Sequence, residues 1–133
     1  MNIFVDTSVW SLAFRRDAPG GPFVAELNRA INAGDGIFTA GLIVQEILQG
    51  VSGPRQRDQI LTRLASFPFL APDWDDHVSA AELFNRCRRA GVQVESVDAL
   101  FAQLCLRYDL IMLTADKDFR HMAKHSSLRI WQA

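Results

Sequence analysis

Leu110-Ile111-Met112-Leu113-Thr114-Ala115-Asp116-Lys117-Asp118-Phe119 is the stretch whose reading decides the fold. Its first four residues are all apolar and show no helical gap, as expected of a strand covered on both faces. Thr114, Ala115 and two acids then end the strand and lead into a short helix. The chain's start repeats this unit. Ile3-Phe4-Val5 is a short apolar run, Asp6 follows at once, and Ser8 is placed to cap a helix carrying Val9, Trp10, Leu12 and Ala13.

The remaining elements follow from these two. Pro19-Gly20-Gly21-Pro22 reads as a turn, and residues 23–33 keep helical spacing at Phe23, Val24, Leu27, Ala30 and Ile31. Ile37-Phe38-Thr39 is a second strand, followed by a helix over 42–50. Gly53-Pro54 breaks that helix before another over 55–66. Phe67-Pro68-Phe69-Leu70 predicts a short strand at a sheet edge, because proline donates nothing to a ladder. Asp75 or Asp76 opens a long amphipathic helix reaching Ala90, and Ser96 caps the next, over 97–108. Leu128-Arg129-Ile130-Trp131 is the last strand. Short apolar strands alternating with helices predict an α/β fold: a three-layer α/β/α sandwich on a mostly parallel sheet of about five strands. Ligands in such folds sit beyond the carboxyl ends of the strands, where strand order reverses.

Composition sets outer limits. The chain has 133 residues, 49% of them apolar, which excludes a disordered segment and fits one domain over 1–133. It contains no repeat, low-complexity stretch or internal linker. No apolar run approaches the roughly 20 residues needed to cross a bilayer, and Asp6 follows the start too closely for a signal peptide. A cytoplasmic protein is expected. Cys87 and Cys105 lack metal-site spacing and fall on apolar helical positions, so they read as packed thiols. His77, His121 and His125 have no paired spacing with the acids and read as surface residues.

Four acids stand where the fold directs chemistry. Asp6 and Asp116 end strands; for Asp6 the competing reading is a helix cap. Glu46 lies in or beside the stripe formed by Leu42, Ile43, Ile47 and Gly50, where the alternative is a side chain at the stripe's edge reaching to water. Asp98 is two residues past the Ser96 cap, where interaction with the helix dipole is the simpler explanation. Asp118 reads as the cap of the helix it opens, or as an accessory carboxylate. Brought into one crevice, Asp6, Glu46, Asp98 and Asp116 repel one another unless a cation neutralises them. Oxygen-only donors of this kind suit Mg²⁺ or Mn²⁺, which activate water and stabilise charge on a phosphate. The pattern points to phosphoryl-ester hydrolysis.

The segments Ile3-Phe4-Val5-Asp6-Thr7-Ser8-Val9-Trp10, Leu42 to Gly50 around Glu46, Ser96-Val97-Asp98-Ala99-Leu100 and Thr114-Ala115-Asp116-Lys117-Asp118-Phe119 resemble those of PIN-domain ribonucleases. The likeness is strongest to VapC-type toxins of bacterial toxin–antitoxin pairs and runs through the whole chain. It implies a PIN fold, with Asp6, Glu46, Asp98 and Asp116 as the metal-binding catalytic acids and Asp118 accessory to them. It implies Mg²⁺- or Mn²⁺-dependent cleavage of RNA such as tRNA or mRNA, a homodimer, and inhibition by a cognate antitoxin. The alternative is a PIN-like protein that binds RNA or a partner without cleaving. Lys117, or the Arg86, Arg88, Arg89 group, is placed to steer an RNA backbone, although the arginine group also reads as a solvated helix end.

Other strand-end-acid enzymes fit less well. A haloacid-dehalogenase phosphatase needs a second acid where Ser8 stands. A response-regulator receiver needs paired acids at the first strand's end, and a dinucleotide-binding module needs a glycine-rich first turn. The formal net charge of −1 is consistent with a nucleic-acid enzyme once position is considered. Setting aside Asp6, Glu46, Asp98, Asp116 and Asp118 leaves 10 acids against 14 bases, 12 of them Arg.

Overall fold

A computed structural model describes residues 1–15 and 20–133. The expected turn at 19–22 therefore lies partly outside the described residues, at Pro19. The elements in chain order are β1 (Asn2–Val5), α1 (Thr7–Ala13), α2 (Pro22–Asn32), β2 (Gly36–Ala40), α3 (Gly41–Gln49), α4 (Pro54–Leu64), β3 (Phe69–Leu70), α5 (Trp74–Arg89), α6 (Ser96–Arg107), β4 (Ile111–Leu113), α7 (Lys117–Ala123) and β5 (Arg129–Ile130). No helix among the described residues is long and apolar enough to cross a membrane.

The five strands form one sheet in the order β3-β2-β1-β4-β5. Every neighbouring pair is parallel, with Ile3 beside both Ile37 and Ile111, and Phe4 beside both Phe38 and Met112. The chain steps from β1 through β2 to β3, then crosses back to β4 and β5 on the other side of β1. Right-handed crossovers travelling in opposite directions put their helices on opposite faces. Accordingly α1 packs with α2 and α3, and α5 packs with α6 across the sheet from them. The expected three layers are present, and strand order reverses between β1 and β4.

Two covered faces explain why the central strands read as unbroken apolar runs. Ile3, Phe4, Val5, Met112 and Leu113 are all fully buried. On the α6 side, the Phe4 and Phe101 rings meet at 5.5 Å between centroids, and on the α1 side Trp10 meets Phe67 at 5.5 Å. Both thiols are buried and unpaired, as their apolar positions predict. β3 is at the edge, as expected, but is reduced to Phe69–Leu70; Pro68 lies just before it, its carbonyl accepting from Thr39 N–H at 3.0 Å.

The helix starts differ from expectation in a consistent way. Asp6, not Ser8, caps α1, and Asp116, not Asp118, caps α7. In each case an extended aspartate directly before the helix is the cap; Asp6 alone separates β1 from α1, whereas Thr114 and Ala115 lie between β4 and Asp116. Asp73 rather than Asp75 or Asp76 caps α5, in a capping box with Asp76. Glu95 occupies the cap position of α6, with Ser96 as its first helical residue, and no side chain caps it.

Phe4→Ala should test the central role of β1. Emptying this fully buried ring site is expected to cost about 3–5 kcal/mol. Urea denaturation checks it, with an unchanged slope showing that the fold itself is retained.

Candidate active site at the strand-order reversal

Strand order reverses between β1 and β4, the place where folds of this kind put a ligand crevice at the sheet's carboxyl edge, and the residues that follow these two strands meet there. β1 ends in Asp6, whose backbone N–H donates to the Leu113 carbonyl at 3.0 Å and locks the two strand ends together. The Asp6 side chain is only 6% exposed. A buried carboxylate needs hydrogen-bond donors, and Asp6 has them. Oδ2 accepts from Ser8 Oγ at 2.7 Å, from Thr114 Oγ1 at 2.9 Å and from the Ser8 backbone N–H at 3.4 Å. All three bonds use Oδ2, so Oδ1 is the oxygen they leave for another partner.

The two hydroxyls also fix the next acid. Each has a single proton, and each donates it to Asp6. Each is therefore free to accept: Ser8 Oγ takes the Ala115 N–H at 3.0 Å, and Thr114 Oγ1 takes the Asp116 N–H at 3.0 Å. The approach of Ser8 Oγ to Thr114 Oγ1 at 3.3 Å is then a contact between two committed donors. Asp116 Oδ1 accepts the Asp118 N–H at 2.9 Å and so starts α7. One hydrogen-bonded chain thus runs from Asp6 through Ser8 and Thr114 to Asp116. Sequence reading assigned Ser8 a cap and Thr114 only a strand end; hydroxyls are too common in turns to stand out alone.

Asp98, half-buried in the first turn of α6, reports how the acids are grouped. Burial, followed by the charges of Asp6, Glu95, Asp116 and Glu46, raises its pKa from 3.8 to about 7. The four acids singled out from the sequence are therefore close enough to act on one another. Glu95, which was not singled out, joins them. Its signal was an acid at a helix cap position whose side chain makes no cap bond.

Of the two places open to Glu46, the structure takes the one beside the α3 stripe: it is exposed, while Ile43 and Ile47 are buried and Leu42, Val44 and Leu48 pack partly against the core. Glu46 Oε1 accepts from Thr7 Oγ1 at 2.9 Å, which ties α3 to the start of α1. Asp118 is exposed and lines a cleft of about 560 Å³ with Phe84, Arg88, Val94 and Glu95. Its charge is not among those that raise Asp98. Cys105 packs near Asp6, and burial together with that charge pushes its thiol well above the ordinary range. It is a neutral filler.

Among the described residues, no three acidic, histidine or cysteine side chains already form a close ion cage. The chemistry of the donors nevertheless suits a hard divalent cation. They are all oxygens, Asp6 Oδ1 is unused by the local bonds, and the pKa of Asp98 is raised by burial and then by neighbouring acids whose charge a cation would offset.

The sequence model of the PIN domain matches residues 3–125, a span that includes all of these acids. The chain belongs to the PIN domain family. VapBC2 from Rickettsia felis, solved bound to a DNA fragment from its promoter, shares this PIN fold at a TM-score of 0.79 and 13% identity, over 99% of this chain and 100% of that one. VapBC-1 from nontypeable Haemophilus influenzae aligns at 0.76 and 15% identity, over 99% and 98% of the chains. VapC20 from Mycobacterium tuberculosis, a sarcin-ricin loop cleaving toxin, aligns at 0.70 and 20% identity, over 96% and 99%. No curated protein matches by sequence comparison. At these identities the structures have the PIN fold in common with this chain, end to end.

Two outcomes follow for this PIN domain. Thr114→Val keeps the shape of a fully buried residue but removes one donor to Asp6 and the acceptor of the Asp116 N–H, so it should cost about 1–3 kcal/mol in urea denaturation. Asp98 sets the second. Its folded pKa of about 7 lies above its unfolded value of 3.8, so the folded chain retains a proton that the unfolded chain has lost. That contribution is complete below the unfolded value and disappears as pH rises through 7. The metal-free Tm should therefore fall between pH 5 and pH 8, and Asp98→Asn should flatten the fall. An equal fall in the variant would refute this origin.

Proposed function

We propose that this PIN domain, taken to cover residues 1–133, is a metal-dependent endoribonuclease of the VapC toxin type. The observation that carries this reading is the placement of Asp6 and Asp116 at the strand-order reversal, one hydrogen-bonded chain apart, with Asp98 and Glu46 close enough for their charges to act together. In this reading Asp6, Asp98 and Asp116 hold Mg²⁺ or Mn²⁺, with Glu46 beside them. A bound ion of this kind lowers the pKa of water and stabilises charge developing on a phosphodiester.

The chain's own residues prepare for that chemistry. Ser8 and Thr114 hold Asp6 through Oδ2 and keep it oriented, with Oδ1 available as a ligand. Thr7 holds Oε1 of Glu46, leaving Oε2 to accept a proton from water. Asp98, titrating near pH 7, gives up its proton when a cation replaces the repulsion around it.

Partners follow from the relatives. The solved relatives include VapBC assemblies and a sarcin-ricin loop cleaving toxin. The VapBC assemblies support a cognate antitoxin as partner and the sarcin-ricin loop cleaving toxin an RNA substrate; a homodimer and a cytoplasmic site of action complete the reading as expectations of the VapC type.

Wild type and Asp6→Asn should be compared on a mixed RNA pool containing Mg²⁺. Cleavage by wild type, abolished by EDTA and reduced in Asp6→Asn by more than the ~10–100-fold typical of residues one step behind a metal ligand, is the expected result. Equal cleavage by both, or activity that survives EDTA, would sink the proposal. A wild-type chain that binds no Mn²⁺ in a calorimetric titration would favour the non-cleaving alternative.

A further inference from the structure

The exposed face of α7 carries a row of cations that neither the fold nor the acid centre requires. Phe119 and Met122 are buried beneath the helix, while Lys117, Arg120, His121 and Lys124 are exposed at spacings of i, i+3, i+4 and i+7, which is one helical face. His125 is exposed just beyond the helix end. Among the described residues, none of these five side chains takes part in a hydrogen bond or ion pair. Several other basic residues differ: Arg29, Arg57, Arg107 and Arg129 are each paired with acids.

The simplest alternative is that these cations complement the helix dipole. This accounts for Arg120 and His121 in the last turn. It fails for Lys117, which is the first helical residue and therefore sits at the positive end, where a cation is unfavourable. Lys117 is instead explained by its position directly after Asp116. The row starts at the acid centre and leads away from it for about 10 Å, at 1.5 Å per residue over seven residues.

Two surfaces adjoin Asp118. One is the cleft lined by Glu95, Asp118 and Arg88, where two carboxylates face one guanidinium. The other is the exposed face of α7, where Lys117, Arg120, His121 and Lys124 are unopposed. We infer that this face is the phosphate track of the nuclease, binding the backbone of the RNA strand as it leaves the scissile position. This deepens the proposed function and rests on it for the identity of the polyanion. Single-stranded RNA contacted at its phosphates is bound without regard to base sequence, and the affinity is strongly salt-dependent.

The salt dependence provides the test. Binding of a fluorescein-labelled, unstructured 20-nucleotide RNA is followed by anisotropy in EDTA, which keeps the strand intact, over a range of salt concentrations. Removing one cation that neutralises a phosphate should reduce the slope of log K against log salt by about 0.7 for a single strand. Arg120→Ala/Lys124→Ala should therefore lower the slope by about 1.4, and the affinity by roughly 10–30-fold at 0.1 M salt. Arg55→Ala/Arg63→Ala makes the same change in net charge at exposed positions on α4, and should leave the slope near wild type. The charge-preserving Arg120→Lys/Lys124→Arg should restore it. Equal losses in both alanine pairs would reduce the effect to net charge and overturn the track. So would a wild-type slope in the α7 pair, no RNA binding by wild type at low salt, or loss of acidic-peptide binding alone, which would assign the face to a protein partner. Cleavage with Mg²⁺ is measured separately. A chain that binds with the expected slopes but does not cut would retain the track and lose the nuclease reading.

Discussion

The buried carboxylate of Asp6 sits between the ends of β1 and β4, and the geometry of the crevice depends on how it is satisfied. Removing a carboxylate from water costs several kcal/mol unless its oxygens find donors. Here Ser8 and Thr114 supply two hydroxyl donors and the Ser8 backbone a third. Hydrogen bonds to a charged group each contribute about 1.5–3 kcal/mol, which is the scale of the desolvation they offset. The same hydroxyls then accept from Ala115 and Asp116. Charge burial, strand closure and placement of the second acid are thus parts of one interaction, and a change at Asp6, Ser8 or Thr114 is felt by the other two.

How much of this was legible depends on whether the determining physics is local. The apolar runs at 3–5 and 110–113 identified central strands because burial on both faces removes alternation from the sequence. Reversal of strand order then places their following acids together, so Asp6 and Asp116 were visible from topology alone. For Glu46, periodicity gave only the neighbourhood of the stripe. It is exposed beside its stripe, and what holds it is Thr7, a partner 39 residues away that helical periodicity cannot show. Ser8, Thr114 and Glu95 were missed as site residues for the same reason: their roles depend on contacts between segments. Helix starts shifted because an aspartate directly before the helix also acts as the cap. Asp6 does cap α1, and the cap leaves room for the proposed role as a metal-binding acid, since Ser8 N–H and Ser8 Oγ share Oδ2 and leave Oδ1 unused by them.

Electrostatics divides this part of the surface. Asp6, Glu46, Glu95, Asp98 and Asp116 act on one another closely enough to hold a proton on Asp98 near neutrality. The face of α7 immediately beyond them holds only basic side chains, unpaired among the described residues. A near-zero total charge therefore conceals a steep local gradient over a short distance, and a gradient attracts and orients a polyanion where a uniform weak field does not.

Such a gradient also explains why the acid centre is left under strain. Pairing its carboxylates with arginines would stabilise the fold, and the chain has 12 arginines available. Internal pairs of that kind are instead made elsewhere, at Glu26 with Arg29 and at Asp76 with Arg107. In the crevice, hydroxyls and backbone amides satisfy Asp6 without neutralising it. Neutral donors hold a carboxylate in place yet preserve its charge, whereas a guanidinium would both occupy its oxygens and cancel the field. In the proposed metal-dependent reading, burial of Asp98 among unneutralised acids is thus the cost of keeping oxygen ligands available to a cation, incurred where strand order reverses.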